Sequence, residues 1–260
     1  YNYKIMNILI NDTAKADLFS SLFQHIKLFT EQVNITFNKD KMYLQTMDSS
    51  RVSIFEMHLP EKWFNEFKLD DDKTIILGVN ANILFKVLNT RDKEQTINIQ
   101  YDTDSDKLNI HFTSENKKNF DKHFAVPLVN IEEELMDIPN YESNTDITVP
   151  SSYFAGIINQ MEIFGDSIEF ICSEDKIQLI SENGTMTVDI DVDELTCYSI
   201  TEDEDDMKIS FSLSRLHNIC MYHKISKEME IILTHNFPMK IIYNLDFEDA
   251  KMIFYLAPKI

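Results

Sequence analysis

The chain has 260 residues, of which 43% are hydrophobic and 26% charged, and its 24 basic and 44 acidic residues give a net charge of −20. This composition is that of a globular protein with ample core-forming material, and it excludes a disordered or collagen-like chain. The acidic balance argues against a nucleic-acid partner unless the basic residues are segregated on one surface.

Cysteine usage and apolar runs exclude two further classes. The three cysteines are widely spaced and form no Cys-x-x-Cys pair. This pattern favours a reducing compartment, and it argues against a disulfide framework and a zinc site. No run of eighteen apolar residues occurs, so we expect no membrane-spanning helix.

Two kinds of periodicity alternate along the first half of the chain. Apolar residues at helical spacing predict helices over residues 13–29, with Asp12 or Thr13 as the N-cap, and over residues 80–90. Runs of β-formers bounded by turn residues predict strands. These strands cover residues 3–10, 33–37, 42–47, 52–59, 74–79, 96–101, 107–113 and 119–126.

The second half repeats this order, with helices predicted over residues 151–163 and 212–222. Strands are predicted over residues 168–172, 177–181, 184–190, 228–233 and 239–245. Leu18 to Asn38 spans 20 residues, as does Tyr153 to Ser173. Asn80 to Asp102 and Ser212 to Thr234 both span 22 residues. The equal spacings predict a duplicated α+β unit, with two helices packed on a mainly antiparallel sheet in each copy.

Residues 125–144 separate the two halves. They contain two prolines, an acidic triplet and no sustained hydrophobic period, which is typical of a connector held by a few apolar anchors. The sequence therefore predicts domains over residues 1–124 and 145–260. The acidic runs at residues 70–72 and 202–206 are interpreted as solvated loops.

Known catalytic and metal-binding signatures are missing from the sequence. It has four glycines, none of them clustered into a phosphate-cradling loop. The Asp102–Asp106 run resembles the start of a calcium loop, but Lys107 and Thr113 occupy the positions that require Gly and Glu. We therefore expect no enzymatic activity, no catalytic residue, no metal and no cofactor.

The most distinctive run covers residues 44–59 and reads LQTMDSSRVSIFEMHL. Residues 48–50 are turn formers between two strand-like runs, so the local expectation is a strand–turn–strand. The run resembles a segment of the proliferating cell nuclear antigen family of sliding clamps. Gly78-Val79-Asn80 and the final Leu-Ala-Pro-Lys-Ile agree in the same order, so the resemblance spans nearly the whole chain.

That resemblance implies a DNA clamp fold with two similar domains, and a DNA polymerase processivity factor. Three protomers would form a homotrimeric ring around double-stranded DNA and tether a DNA polymerase, a clamp loader and other motif-bearing proteins. The implied location is the nucleus, or a cytoplasmic replication site if the source is viral. Glu174 stands where the family carries the lysine that accepts ubiquitin, so that regulation is not carried over. The alternative is a clamp-like interaction scaffold that neither closes a ring nor encircles DNA.

The resemblance also places a DNA-facing surface on the helices. The stretches that contain the four predicted helices, residues 13–29, 80–91, 151–163 and 212–224, sum to a charge of +4, which leaves −24 for the rest of the chain. Several positions that are basic in the family are polar or small here, so the expected surface is thinly charged. The DNA-binding candidates are Lys27, Lys86, Arg91, Arg215 and Lys224.

Two further sites are implied in the same way. The partner-peptide groove under the connector is assigned to Met47, Arg51, Val52, Ile54, Met136, Ile138, Pro139, Phe237, Pro238, Tyr255, Leu256 and Pro258. Arg51 replaces a histidine that is common at the groove rim. The subunit interface, formed by pairing of two edge strands, is assigned to Phe120, Phe124, Met186 and Val188.

Overall fold

A computed structural model describes residues 4–70, 74–114, 120–132, 135–201, 207–245 and 247–259. The chain forms two compact units. Unit 1 contains Tyr1–Thr46, Glu56–Leu135 and Asp246–Ala250, and unit 2 contains Met47–Phe55, Met136–Leu245 and Lys251–Ile260. Each unit thus includes a short segment from the other half of the sequence. Residues 71–72 and 202–206, for which solvated loops were predicted, lie outside the described residues.

Within the described residues, the first half of the sequence supplies nine strands and two α-helices. They are β1 (Lys4–Ile10), α1 (Thr13–Leu22), β2 (Gln32–Asn38), β3 (Lys41–Met47), β4 (Ser53–Pro60), β5 (Glu66–Leu69), β6 (Ile75–Asn80), α2 (Ala81–Leu88), β7 (Thr96–Asp102), β8 (Lys107–Thr113) and β9 (Lys122–Pro127). One sheet has the order β5-β1-β7-β8-β9, and a second set of neighbours runs β4-β3-β2-β6. Asp12 and Asn80 cap the two helices through their side chains, accepting from the amides of Lys15 and Ile83.

The second half supplies the same series of elements. They are β10 (Thr145–Pro150), α3 (Ser151–Met161), β11 (Ser167–Cys172), β12 (Lys176–Ser181), β13 (Thr187–Asp191), β14 (Cys197–Ile200), β15 (Met207–Ser212), α4 (Leu213–Cys220), β16 (Glu228–Leu233), β17 (Met239–Asn244) and β18 (Lys251–Leu256). The neighbour orders are β14-β10-β16-β17-β18 and β13-β12-β11-β15. Both orders match those of the first half element by element, so the predicted duplicated α+β fold is confirmed.

Two kinds of element differ from the sequence prediction. The first helix ends at Leu22 rather than near residue 29, and a separate 3-10 turn follows over Ile26–Leu28. Phe23 and Ile26 are still buried, so the apolar spacing reflects burial of this face rather than a continuous helix. The strands β5, β10, β14, β15 and β18 carry no prediction of their own, and two of them are only four residues long.

A largely buried polar cluster in unit 1 links residues of β3 to the second half of β4. Glu56 accepts hydrogen bonds from the Tyr43 hydroxyl and, at 3.2 Å, from the Gln45 amide, and its other oxygen lies 3.5 Å from His58 Nε2. Burial alone raises the pKa of Glu56, but His58, Tyr43 and Gln45 outweigh it and bring the pKa to about 2. The carboxylate is therefore ionised in the folded chain at neutral pH.

In the described part of the chain, no helix is long and apolar enough to cross a membrane.

The start of the connector packs closely on β6 in unit 1. The Val129 amide donates to the Gly78 carbonyl at 2.9 Å, and Val79 and Leu128 form an antiparallel bridge. A Cβ on Gly78 would lie 2.2 Å from the Val129 carbonyl oxygen, which is backbone and cannot rotate away. Gly78 is thus required for the close approach of two backbones.

Substitution of this glycine should loosen the connector. We expect Gly78→Ala to destabilise unit 1 by about 1–3 kcal/mol, because the backbone at Val129 must shift and its hydrogen bond weakens. Gly156→Ala is the matched control, since a Cβ there meets nothing within 4 Å. On a helix that control should be neutral or stabilising by up to about 1 kcal/mol. Chemical denaturation of the two variants provides the measurement, and equal stabilities would contradict the packing argument.

Candidate partner groove and nucleic-acid interface

The turn at residues 48–52 is organised by one buried carboxylate of unit 2. Asp48 is 2% exposed, and its Oδ1 accepts the Val52 amide at 2.8 Å and the Ser53 amide at 2.7 Å. The Ser50 hydroxyl donates to the other oxygen. Arg51 has φ 57°, a left-handed conformation that non-glycine residues rarely adopt. The predicted turn is confirmed, but nothing in the sequence indicated that its aspartate is buried.

An arginine from helix α4 completes the coordination of this carboxylate. Arg215 Nη1 lies 3.2 Å from Asp48 Oδ2, and the arginine side chain is 31% exposed. Burial raises the pKa of Asp48, but the Ser50 hydroxyl, the two backbone amides and the Arg215 charge outweigh it. The net effect lowers the pKa of this carboxyl, so Asp48 remains a full acceptor for the turn.

The C-terminal segment lies between this turn and β15. The Ala257 amide donates to the Val52 carbonyl at 2.9 Å, and the Lys259 amide donates to the Ser210 carbonyl at 2.8 Å. Pro258 forms an isolated antiparallel bridge with Phe211. The turn and the C-terminal segment therefore form one continuous surface of unit 2.

The connector and the β16–β17 turn add a third and a fourth segment. The Tyr141 ring stacks on Phe237 with centroids 4.5 Å apart, and its hydroxyl donates to the Pro238 carbonyl at 3.0 Å. The Thr234 hydroxyl donates to the Glu142 carbonyl at 3.1 Å. Tyr141 was not among the predicted residues, although an aromatic side chain in a polar connector is the signal that could have identified it.

The predicted groove residues all belong to unit 2, where they differ in exposure. Arg51, Pro139 and Phe237 are exposed. Half-buried apolar positions include Met47, Val52, Ile54, Met136, Ile138, Pro238 and Pro258. Such partly covered apolar residues on one unit are what a peptide-binding surface requires.

Two of the C-terminal assignments need a different description. Leu256 is fully buried and pairs in register with Met239, which is also fully buried. The prediction that Leu256 lines the groove is wrong, because a side chain in the core cannot contact a peptide. Tyr255 is 8% exposed, and the Lys240 ammonium group lies 5.9 Å from the centre of its ring.

Three of the five DNA-binding candidates are exposed cations. Lys27 lies in the 3-10 turn Ile26–Leu28 and Lys86 in α2, and this turn and helix pack against each other in unit 1. Lys224 follows α4 in unit 2. None of the three forms an ion pair with another residue in the described ranges.

The two arginines are engaged inside the protein. The Arg91 side chain is 4% exposed, pairs with Asp17, and donates to the carbonyl oxygens of Asp92, Lys93 and Gln95. A buried guanidinium with these partners cannot contact phosphate, so its assignment to the DNA surface is wrong. Arg215 is partly exposed, but its charge is directed to Asp48.

Among the described residues, no lysine or arginine lines the hollow between α3 and α4. A hollow of about 250 Å³ lies between these helices of unit 2, lined by Gly156, Asn159, His217 and His223 together with small and sulfur-bearing side chains. His217 Nδ1 is 3.0 Å from Glu162 Oε2. The helices of the structure therefore expose fewer positive charges than the sequence predicts.

The predicted interface residues lie at two open sheet edges. Strand β9 ends one sheet of unit 1, with Phe124 half-buried in the strand and Phe120, 91% exposed, just before it. Strand β13 ends a sheet of unit 2, with Val188 half-buried in the strand and Met186 just before it. Open edges with apolar side chains favour pairing with another chain. Residue 119, included in the predicted first strand, lies outside the described residues.

Comparisons with known proteins agree with this geometry. Residues 9–135 match the family model "Proliferating cell nuclear antigen, N-terminal domain", and residues 137–260 match the corresponding C-terminal domain. The chain is 27% identical over 252 residues to proliferating cell nuclear antigen of Chaetomium thermophilum, with 95% of this chain and 96% of the relative covered. It is 26% identical over 256 residues to a probable DNA polymerase sliding clamp 1 of Paramecium bursaria Chlorella virus 1, with 95% of each covered.

A solved structure supports the fold independently. The crystal structure of proliferating cellular nuclear antigen from Entamoeba histolytica superposes with a TM-score of 0.83, over 99% of this chain and 100% of that one. The two sequences are 23% identical, so this likeness bears on the fold alone.

Proposed function

The chain belongs to the proliferating cell nuclear antigen family of sliding clamps, and from that premise we propose that it is a homotrimeric DNA polymerase processivity factor. In this proposal the ring encircles double-stranded DNA and tethers a polymerase, a clamp loader and other proteins through the peptide groove. It performs no chemistry of its own. The proposed location is the site of DNA replication, in the nucleus or in a viral replication compartment.

Ring formation is supported by the way two pairs of equivalent strands, β4 with β13 and β18 with β9, are placed in their sheets. In unit 2, the first residues of β4 lie beside β18, where Phe55 stacks on Phe254 with centroids 5.1 Å apart. By the duplication, β9 corresponds to β18 and β13 corresponds to β4. Yet β9 and β13 are open edges. Pairing β9 of one protomer with β13 of the next would repeat a junction that the chain already makes, and repetition around a ring would leave neither of these two edges open.

Closure into a trimer can be measured directly. Light scattering behind gel filtration should give three times the chain mass of 30.5 kDa. We expect Val188→Lys to reduce that mass, because a charge would be buried in the strand junction. A strictly monomeric wild-type mass at micromolar concentration would contradict the ring and favour the alternative of a clamp-like interaction scaffold.

The DNA-facing role rests on Lys27 and Lys86 in unit 1 and on Lys224 in unit 2, all exposed. Each phosphate neutralised contributes about −0.9 to the slope of log affinity against log salt. With few cations available, DNA binding should be weak and its salt slope shallow. A ring that encloses its substrate does not require tight binding, so this weakness is compatible with the proposal.

Charge reversal tests this surface. The double variant Lys27→Glu, Lys86→Glu should lower polymerase processivity on primed circular DNA while leaving the fold intact, because both side chains are exposed. Lys39→Glu, Lys107→Glu is the matched control, since it makes the same charge change at exposed hairpin positions of the same unit. If the two variants behave alike, or if the first retains full processivity, the helices are not the DNA face.

The groove proposal rests on the convergence of four chain segments in unit 2. Family clients carry a short motif of a Gln, an aliphatic residue and two aromatic residues, which forms a helical turn. Apolar burial would stabilise it at about 25 cal/mol per Å², and strand-like backbone contacts would support it. After subtraction of the cost of ordering a free peptide, a dissociation constant near the micromolar range, or about −8 kcal/mol, is expected.

Ile138 is the connector residue whose replacement tests the groove. Ile138→Ser removes apolar contact and adds a hydroxyl, which should cost about 1–3 kcal/mol and weaken peptide binding by about five- to 150-fold. The oligomer should survive. Ile76→Ser, at an aliphatic position that is 59% exposed in unit 1, is the control. Calorimetry with a motif peptide provides the measurement, and unchanged affinity in the Ile138 variant would place the groove elsewhere.

A further inference from the structure

We propose that Arg215 is a positioning residue for the partner groove, acting through Asp48 rather than through DNA or the peptide. The inference rests on the groove described under the proposed function. Asp48 holds the amides of Val52 and Ser53 with one oxygen, and Arg215 pairs with its other oxygen at 3.2 Å. The guanidinium thus fixes the carboxylate that gives the turn its shape.

The physical reason is the burial of Asp48. A carboxylate that is 2% exposed is stable only if it is paired and hydrogen-bonded. Without Arg215, the remaining partners are neutral, and the side chain gains by turning toward water. That rotation would release the Val52 and Ser53 amides, and Arg51 would no longer be held at φ 57°.

A loosened turn would reach the rest of the groove through the C-terminal segment. The Val52 carbonyl accepts the Ala257 amide, and the neighbouring Pro258 bridges to Phe211 just before α4. The Asp48 turn and the C-terminal segment therefore both attach to the same corner of unit 2, which is formed by the end of β15 and the first turn of α4. Arg215 is the third residue of that helix.

The duplication gives a second and independent observation. The third residue of α2, the equivalent helix of the first half, is Ile83, which is 42% exposed. The ion pair is therefore not part of the scaffold that both halves share. Among the described residues it occurs in unit 2, whose turn and C-terminal segment form the proposed groove, which points to a role in the groove rather than in the fold.

The experiment compares five variants by calorimetry with a synthetic motif peptide and by hydrogen exchange at residues 47–55. Arg215→Met should weaken peptide binding about tenfold, the scale of one charge-assisted hydrogen bond, and should raise exchange at the Val52 and Ser53 amides. Arg215→Lys should restore most of the affinity. Lys227→Met, which removes an exposed charge from the same unit, should behave as wild type. In an Asp48→Asn background, Arg215→Met should have little additional effect.

The outcomes separate the two levels of the proposal. If the wild-type chain does not bind the peptide, the groove itself is refuted, and the positioning role falls with it. If the wild type binds and Arg215→Met binds equally well with unchanged exchange, the positioning role alone is refuted. Additive losses in the double variant would show that Arg215 contacts the peptide directly, which also overturns the inference.

Discussion

One buried carboxylate determines the local shape of the proposed groove. Asp48 lies in a strand–turn–strand that any clamp-like sequence could form from turn residues alone. Its burial, however, requires every lone pair to be used, and two backbone amides, a hydroxyl and a guanidinium supply the partners. The turn therefore has one geometry rather than several. A surface turn of the same sequence without these partners would exchange among conformers and would present no fixed wall to a peptide.

The duplicated scaffold explains why the proposed groove belongs to one unit. In both halves, a residue just after the last strand forms an isolated β-bridge with the strand that precedes the second helix. In unit 1 this bridge joins Leu128 to Val79, and the chain continues into the connector. In unit 2 it joins Pro258 to Phe211, and the segment lies against the Asp48 turn. The same local geometry thus supports a connector in one half and a groove wall in the other.

The sequence predicts the repeated architecture well because burial has a strong period. Three of the four predicted helices and most of the strands follow from apolar spacing, and the equal internal distances reveal the duplication. Prediction fails where the spacing of buried residues does not match the backbone conformation, and where an element is too short to show a spacing. Residues 23–29 keep a helical apolar spacing after α1 has ended, and the four-residue strands β5 and β14 are too short to show any period.

Among the site residues, prediction was weakest for charge, because a charge pattern does not show where each side chain is directed. The charge pattern predicts that Arg91 and Arg215 are surface cations, but both pair with carboxylates of the protein itself. Leu256 read as a groove residue, but the strand register directs it into the core beside Met239. Each of these residues is placed by tertiary contacts far along the chain, and a single sequence contains no direct record of such contacts.

The internal use of both arginines has a consequence for how this clamp would hold DNA. An arginine that is paired with an aspartate contributes little net field to the lining, while the chain as a whole carries −20. Electrostatic attraction is therefore a poor candidate for what retains the duplex. If the closed ring retains the duplex, the strand edges must keep the ring closed, because an open ring with so few exposed cations would release DNA. In the proposed ring, the exposed Phe120 and the half-buried Phe124 and Val188 would provide apolar contact for closure, and apolar burial is not screened by the salt that weakens phosphate contacts.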